Sequence, residues 1–422
     1  MMFAEFVDAV RRHYGEEAAA VRHELFFLSQ RSGSLHRISR AVVAALRDAY
    51  FCWRLPMQAP PLPRVLAVVT LAGSNGKGAL EPALAVLRQR AVEPVCVIHP
   101  RLRGHGVGQL PCRLSAAAWR HAVAALWSSF PNAQHSPVSS LLVRLCVLRF
   151  RLWRGVWERT LAAAPVSGTL LLHNDFDLFS AAAVEAGRGT WRSVCVQHGL
   201  PTDEFFPTRA ERHVVWGHSS KAAYHSKGTP IQALRLGPQR WRANNDLAAL
   251  APQAICVISQ THTPVFGLNL EDDFLTLAQY LAAHGPLLMP VQILLHPEEV
   301  RGGHPYRSAE LELLCCKPPH AILSSTSLRA VVIGFCSTAL LEAALQGHYV
   351  IGVDWSVPAS TAAVAVGRPV NRVSNNVELL AVLEQLLQDP EERAHFLGRQ
   401  ERWLQQTFQA STEWLDGFED EQ

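Results

Sequence analysis

VLAVVTLAGSNGKGALEPALAVLRQRAVEPVCVIHP, residues 65–100, decides the fold. A β-branched apolar run (65–71) leads into the glycine-rich AGSNGKGA (72–79). A helical pattern follows in LEPALAVLRQRA (80–91), and a second apolar run opens at Val95. Strand, loop, helix, strand is the βαβ unit of a parallel sheet.

Upstream, LPMQAPPLPR (55–64) breaks the chain with four prolines, so the helix-like residues 1–54 form a separate lead-in. Downstream the alternation returns: TLLLHND (169–175), a helical stretch and VCVQHG (194–199), then HVVWG (213–217) and a strand near IQALRLG. GPQRWRANNDLAALAP (237–252) interrupts it as a polar linker. The pattern restarts with AICVISQ (254–260), VQILLHP (291–297), AVVIGFCST (330–338) and HYVIGVD (348–354). The second half thus repeats the first. The expected fold class is α/β with two Rossmann-like parallel-sheet domains facing a central cleft: 1–245 on the acceptor side, with its helical lead-in, and 246–422 on the donor side. The tail from Asn376 to about Phe408 is helix-like, as a final helix returning to the first domain would be.

Length agrees, since 422 residues exceed what one core organises. A hydrophobic fraction of 49% excludes a disordered chain. The net charge of +3 makes nucleic acid an unexpected partner. Nine cysteines without a C-x-x-C pair, several inside apolar runs, read as reduced core residues of a cytoplasmic protein. The N-terminus lacks the apolar core of a signal peptide, and no run is long enough to span a membrane.

In open parallel sheets ligands bind beyond the carboxyl ends of the strands. Those positions hold Gly73–Gly78, His99, His173–Asp177, Gln197, His198 and Gly199 in the first half. In the second they hold Ser259, Gln260 and the residues to Thr263, His296 with Pro297, and Ser337, Thr338 and Glu342. The segment GFCSTALLEAALQG (334–347) ends a strand and opens a helix. Its start would aim backbone N–H groups and two hydroxyls at a phosphate, and Glu342 on the same face could accept from a ribose diol. The alternative is a plain Ser/Thr cap with a surface glutamate.

VCVQHGLP (194–201), ILLHPEE (293–299) and GFCSTALLEAALQG, in that order and at those strand ends, resemble the GT-B glycosyltransferases that build bacterial surface polysaccharides. The nearest group is the one of capsule, Kdo-transferase, polysialyltransferase and CDP-glycerol phosphotransferase-like enzymes. The resemblance covers roughly residues 165–355. It implies transfer of a sugar, Kdo or sialic-acid-like, from a CMP-linked nucleotide-sugar donor to a glycan or glycolipid acceptor. It places the nucleotide phosphate on His296, Ser337 and Thr338, with no metal or organic cofactor. CDP-glycerol-type phosphotransfer is the alternative chemistry.

The acceptor hydroxyl must lose a proton, which needs a carboxylate or an imidazole. Asp175 and His198, at the ends of neighbouring strands, are the expected catalytic pair; Asp177 is read as the cap of the helix at Leu178. Asp175-Phe176-Asp177 also spells the D-x-D with which metal-dependent GT-A enzymes hold a nucleotide diphosphate. AGSNGKGA resembles the phosphate loop of Mur and folylpolyglutamate ligases, but Ala79 stands where Ser/Thr would hold Mg²⁺. A degenerate GT-B scaffold is the non-enzymatic reading. Finally, LLVRLCVLRFRLWRGVWERTL (141–161) puts Arg144, Arg151, Arg154 and Arg159 along one helical face with Phe150, Trp153 and Trp157 near the other. Such a helix either makes a peripheral contact with the inner membrane or packs its aromatic face on the sheet.

Overall fold

The structure, a computed structural model, describes the chain apart from residues 1–2, 31–32, 59–61, 71–72, 103–107, 131–135, 137, 165–166, 239–249, 262–269, 286–287, 319, 322, 324–327, 356–361, 417 and 419–422. Strands β1 (Val65–Val69), β2 (Val95–Ile98), β3 (Thr169–Leu172), β4 (Arg192–Val196), β5 (Arg212–Val215) and β6 (Leu234–Leu236) form one sheet. Strands β7 (Ala254–Ile258), β8 (Val291–Leu294), β9 (Cys315–Cys316), β10 (Ala330–Gly334), β11 (Tyr349–Val353) and β12 (Arg372–Val373) form the other. The orders are β2-β1-β3-β4-β5-β6 and β12-β11-β10-β7-β8-β9, and every pairing is parallel. This is the two-sheet GT-B arrangement expected from the alternation, and it is not the single-domain GT-A form. The linker at 237–252 lies largely outside the described residues, and so does the boundary at 245.

Each sheet reverses its strand order once, between β1 and β3 and between β7 and β10. At such points successive crossover helices leave to opposite faces, which opens a crevice beyond the strand ends. Sequence alone did not show β9 and β12, each two residues long, because so short a run has no period to read. The glycine-rich stretch, expected as a loop, is helical from Gly73 to Gln89.

The helix Ser140–Ala162 resolves its two readings in favour of the core. Phe150, Trp153 and Trp157 are buried with the first sheet and the helical lead-in. Three of the four arginines read along its face are engaged by protein: Arg151 forks onto Glu17 through two bonds of 2.6 Å, Arg154 meets Glu158 at 2.8 Å, and Arg159 donates to the carbonyl of Arg113 at 2.8 Å; Arg144 has a buried Nε without a hydrogen-bond partner. Deeper still, Arg149 donates to Asp48 at 2.7 Å and also to Glu24. Charges this buried persist only because they are paired.

The tail is two helices, Asn376–Gln388 and Pro390–Thr407, and Asp389 caps the second by accepting from Glu391 and Glu392 N–H. The second helix returns to the first domain as expected. Gln409 donates to the Trp216 carbonyl at 2.8 Å and Ser411 to that of Gly237 at 3.0 Å. Trp414 and Leu415 are buried in an apolar cluster of the first sheet, beside β6.

Candidate functional site

The turn after β4 is fixed before any ligand arrives. Buried Gln197 spends its whole amide on it: Oε1 accepts from Trp216 N–H at 3.0 Å, and Nε2 donates to the Gly199 carbonyl at 2.9 Å. This holds the half-buried His198 with its ring stacked on Phe205, 5.0 Å between centroids and 14° between planes, and set against the edge of His173 at 5.5 Å.

His173 belongs to the switch point of the first sheet. Its Nε2 lies 3.2 Å from Thr70 Oγ1, beyond β1, and 3.0 Å from Asn174 Nδ2. The amide can only donate there, so Nε2 accepts and the ring proton is assigned to Nδ1. Burial, helped by the charge of His198, lowers His173 to about 3, so it is neutral wherever the protein is folded in ordinary buffers. The start of the helix Gly73–Gln89 packs on this ring so closely that a Cβ on Gly76 would sit 2.8 Å from it.

Asp175 and His198 are not placed alike. Asp175 is 2% exposed, and its Oδ2 accepts from the backbone N–H groups of Arg209 and Ala210, the latter at 2.9 Å. It also faces His213 at 3.6 Å. Burial lowers His213 in spite of that carboxylate. Asp177 caps the helix Leu178–Gly187, accepting from Phe179 and Ser180 N–H at 2.9 and 3.2 Å, as expected. With both carboxylates turned to backbone, Asp175-x-Asp177 is not laid out as a paired metal clamp. Among the described residues no cluster of three or more His, Cys, Asp or Glu could hold a metal.

On the second sheet, Gln260 pins the switch point. Its amide bonds both the N–H (3.1 Å) and the carbonyl of Cys336, tying the end of β7 to that of β10. Ser337 caps the helix Thr338–Leu345, accepting from Ala339 N–H at 3.2 Å. His296 and Pro297 are exposed at the end of β8, and Glu342 is exposed one turn into the helix. Strand β7 separates β8 from β10, so the strand ends that lead to His296 and Ser337 are about 10 Å apart.

Sequence reading passed over the residue that organises this side. Glu299, 1% exposed, accepts from Ser259 Oγ at 2.7 Å, from both N–H (2.9 Å) and hydroxyl of Thr261, and from His296 N–H at 2.8 Å. One carboxylate thereby fixes the loops after β7 and β8. It lies within ILLHPEE, but a glutamate two residues into a helix reads as ordinary first-turn charge. Glu299→Gln puts an NH₂ where only donors converge; we expect a loss of about 2–4 kcal/mol in urea denaturation. Glu204, six residues past His198, was missed because it lies beyond the strand end. It meets His23 at 3.2 Å, and it is held low because His23, aided by Thr202, outweighs the effect of burial.

The two sheets meet where these sets converge. Thr338 Oγ1 accepts from Leu200 N–H at 3.1 Å, and Gly199 leaves space beside that hydroxyl that a Cβ would narrow to 3.3 Å. Leu200 plugs against Gly367, where a Cβ would lie 2.2 Å from its Cδ1. His198 is therefore carried to the N-terminus of the helix that Ser337 and Thr338 open. Each hydroxyl accepts a backbone N–H and keeps its own proton to donate.

No protein-family model and no curated protein matches the chain. Among solved structures it is similar to the glycotransferase of kitacinnamycin, at 13% identity over 85% of this chain and 99% of that one, TM-score 0.46. It is also similar to an α,α-trehalose-phosphate synthase (UDP-forming) from Burkholderia vietnamiensis, at 10% over 81% and 96%, TM-score 0.46. A third is a lipopolysaccharide outer core galactosyltransferase, at 11% over 84% and 97%, TM-score 0.43.

Proposed function

We propose that the protein is a GT-B glycosyltransferase that moves a sugar from a nucleotide-activated donor on the second sheet to an acceptor hydroxyl presented by the first. The observation that carries this reading is the Leu200–Thr338 hydrogen bond, which sets an imidazole beside a helix start furnished with two hydroxyls. In the transfer, His198 takes the acceptor proton, the acceptor oxygen bonds the anomeric carbon, and the bond from that carbon to the phosphate oxygen breaks. The leaving phosphate gathers negative charge where the helix N-terminus, Ser337, Thr338 and His296 supply donors. Asp175 has the supporting role of holding Arg209 and Ala210, so Asp175→Asn should lower stability before it lowers turnover.

The order of the strand-end motifs supports a cytidine nucleotide, CMP above all, with a Kdo or sialic-acid-like sugar and a surface glycan or lipid-linked acceptor. Calorimetric titration with CMP, CDP, UDP and GDP tests it: CMP should bind most tightly, and equal or tighter UDP would remove the cytidine assignment. Thr338→Val, which keeps the shape and loses the hydroxyl, should weaken CMP by about tenfold. Because protein donors meet the phosphate, activity is expected to survive EDTA; loss that added Mn²⁺ restores would overturn that part.

A further inference from the structure

The helix Ser34–Arg54 turns an apolar face outward. Ala41, Ala45, Asp48 and Cys52 are buried, while Leu35 is 83% exposed, Val43 62%, Leu46 66%, Tyr50 54% and Trp53 56%. At about 100° per residue these five, with Val42, share a stripe roughly 100° wide opposite the buried face. His36, Arg40, Arg47 and Arg54 follow along one edge. The helix has a single acid, Asp48, which is buried and engaged by Arg149, so its outer surface is apolar and cationic without a carboxylate.

We propose that this face docks the protein on an anionic membrane surface. Aliphatic side chains with Trp53 and Tyr50 can enter the headgroup boundary, where amphipathic rings are at home, while the arginine edge meets lipid phosphates. Charge complementarity selects this occupant. A second copy of the chain would bring the same arginines and no exposed carboxylate from this helix to answer them.

The surface also leads somewhere. A cavity of about 540 Å³ opens along the basic edge, between Arg40, Val43 and Arg47 on this helix and His23 and Glu24 on its neighbour, the Glu24 carboxylate being taken up by Arg149. His23 packs on Phe176 at 5.0 Å, and Phe176 lies 6.1 Å from His198. That the docking serves to bring a lipid-linked acceptor to His198 rests on the proposed function; the docking itself does not.

Sedimentation of the whole protein with vesicles of phosphatidylglycerol and phosphatidylethanolamine, against phosphatidylcholine alone, tests the proposal. The protein should pellet with the anionic vesicles, release as salt rises, and lose at least about tenfold in partitioning as Leu46→Glu/Trp53→Glu, with an unchanged melting temperature. Wild-type protein without anionic preference would overturn docking. So would a lipid-free dimer, seen in sedimentation velocity, that this double variant dissolves. Titration of CMP, CDP, UDP and GDP on the same samples separates the two readings: vesicle binding without binding of any of these nucleotides sinks the proposed function alone, and the reverse sinks docking alone.

Discussion

Replacing His198 by glutamine is expected to reduce turnover by about 10²- to 10⁴-fold while nucleotide affinity stays within about threefold. Glutamine still donates and accepts but cannot carry a proton away, and the ring's stacking on Phe205 is worth too little to unfold the turn that Gln197 braces. The neighbouring His173 cannot substitute, because at about 3 it is a poor base near neutrality and its Nε2 is already accepting. Single-turnover kinetics with a saturating donor reads the effect. Near-wild-type turnover would take the base from His198 and pass it to a carboxylate such as Glu204.

Arg149→Ala is expected to cost about 3–5 kcal/mol, measured by urea unfolding near pH 7, because it leaves the buried Asp48 with the more distant Arg47, at 3.9 Å, and takes the counter-charge from the half-buried Glu24. That is a large part of a usual folding free energy of about 5–15 kcal/mol. Burial tends to raise Glu24, but Arg149 outweighs it and holds the carboxyl below its ordinary value. A group lowered by folding stabilises above its unfolded pKa, about 4.3, and loses that contribution as pH falls through the folded value. The gap between wild type and variant should therefore narrow below about pH 4. A gap that stayed constant with pH would assign the loss to packing. Arg149→Met combined with Asp48→Leu should recover part of the stability, since filling the space with apolar groups removes the stranded charge at that position.

The sheets were readable because each long strand is an apolar run closed by a polar residue, a pattern that survives without knowing which strands pair. Register and the places of β9 and β12 were not, being set by neighbours. Strand-end logic picked out Gln197, His198, Gln260, Ser337 and Thr338, which the structure sets just past the ends of β4, β7 and β10, and it gave the cap at Asp177. It could not tell that Asp175 turns inward, because Asp175 and His198 occupy equivalent sequence positions and only the packing of residues 209–213 separates them. Glu299 and Glu204 escaped because their partners, Ser259 and His23, are 40 and 181 residues away in the chain. The exposed stripe on Ser34–Arg54 escaped for the converse reason. An apolar face at helical spacing reads as core, and only the fold shows that Ala41, Ala45 and Cys52 have taken the inner side.

The return of the tail to the first domain makes a mechanical statement. The chain passes between the sheets twice, once from β6 to β7 and again near Thr407–Gln409, where Gln409 and Ser411 are bonded to the first domain. A body pinned at two points can turn only about the line through them. Any motion of the second sheet against the first would then be a swing about one axis, and it would part the Leu200–Thr338 bond. Cutting the chain after Phe408 would remove one of the two pins, leaving both sheets intact and their relative motion without a defined direction.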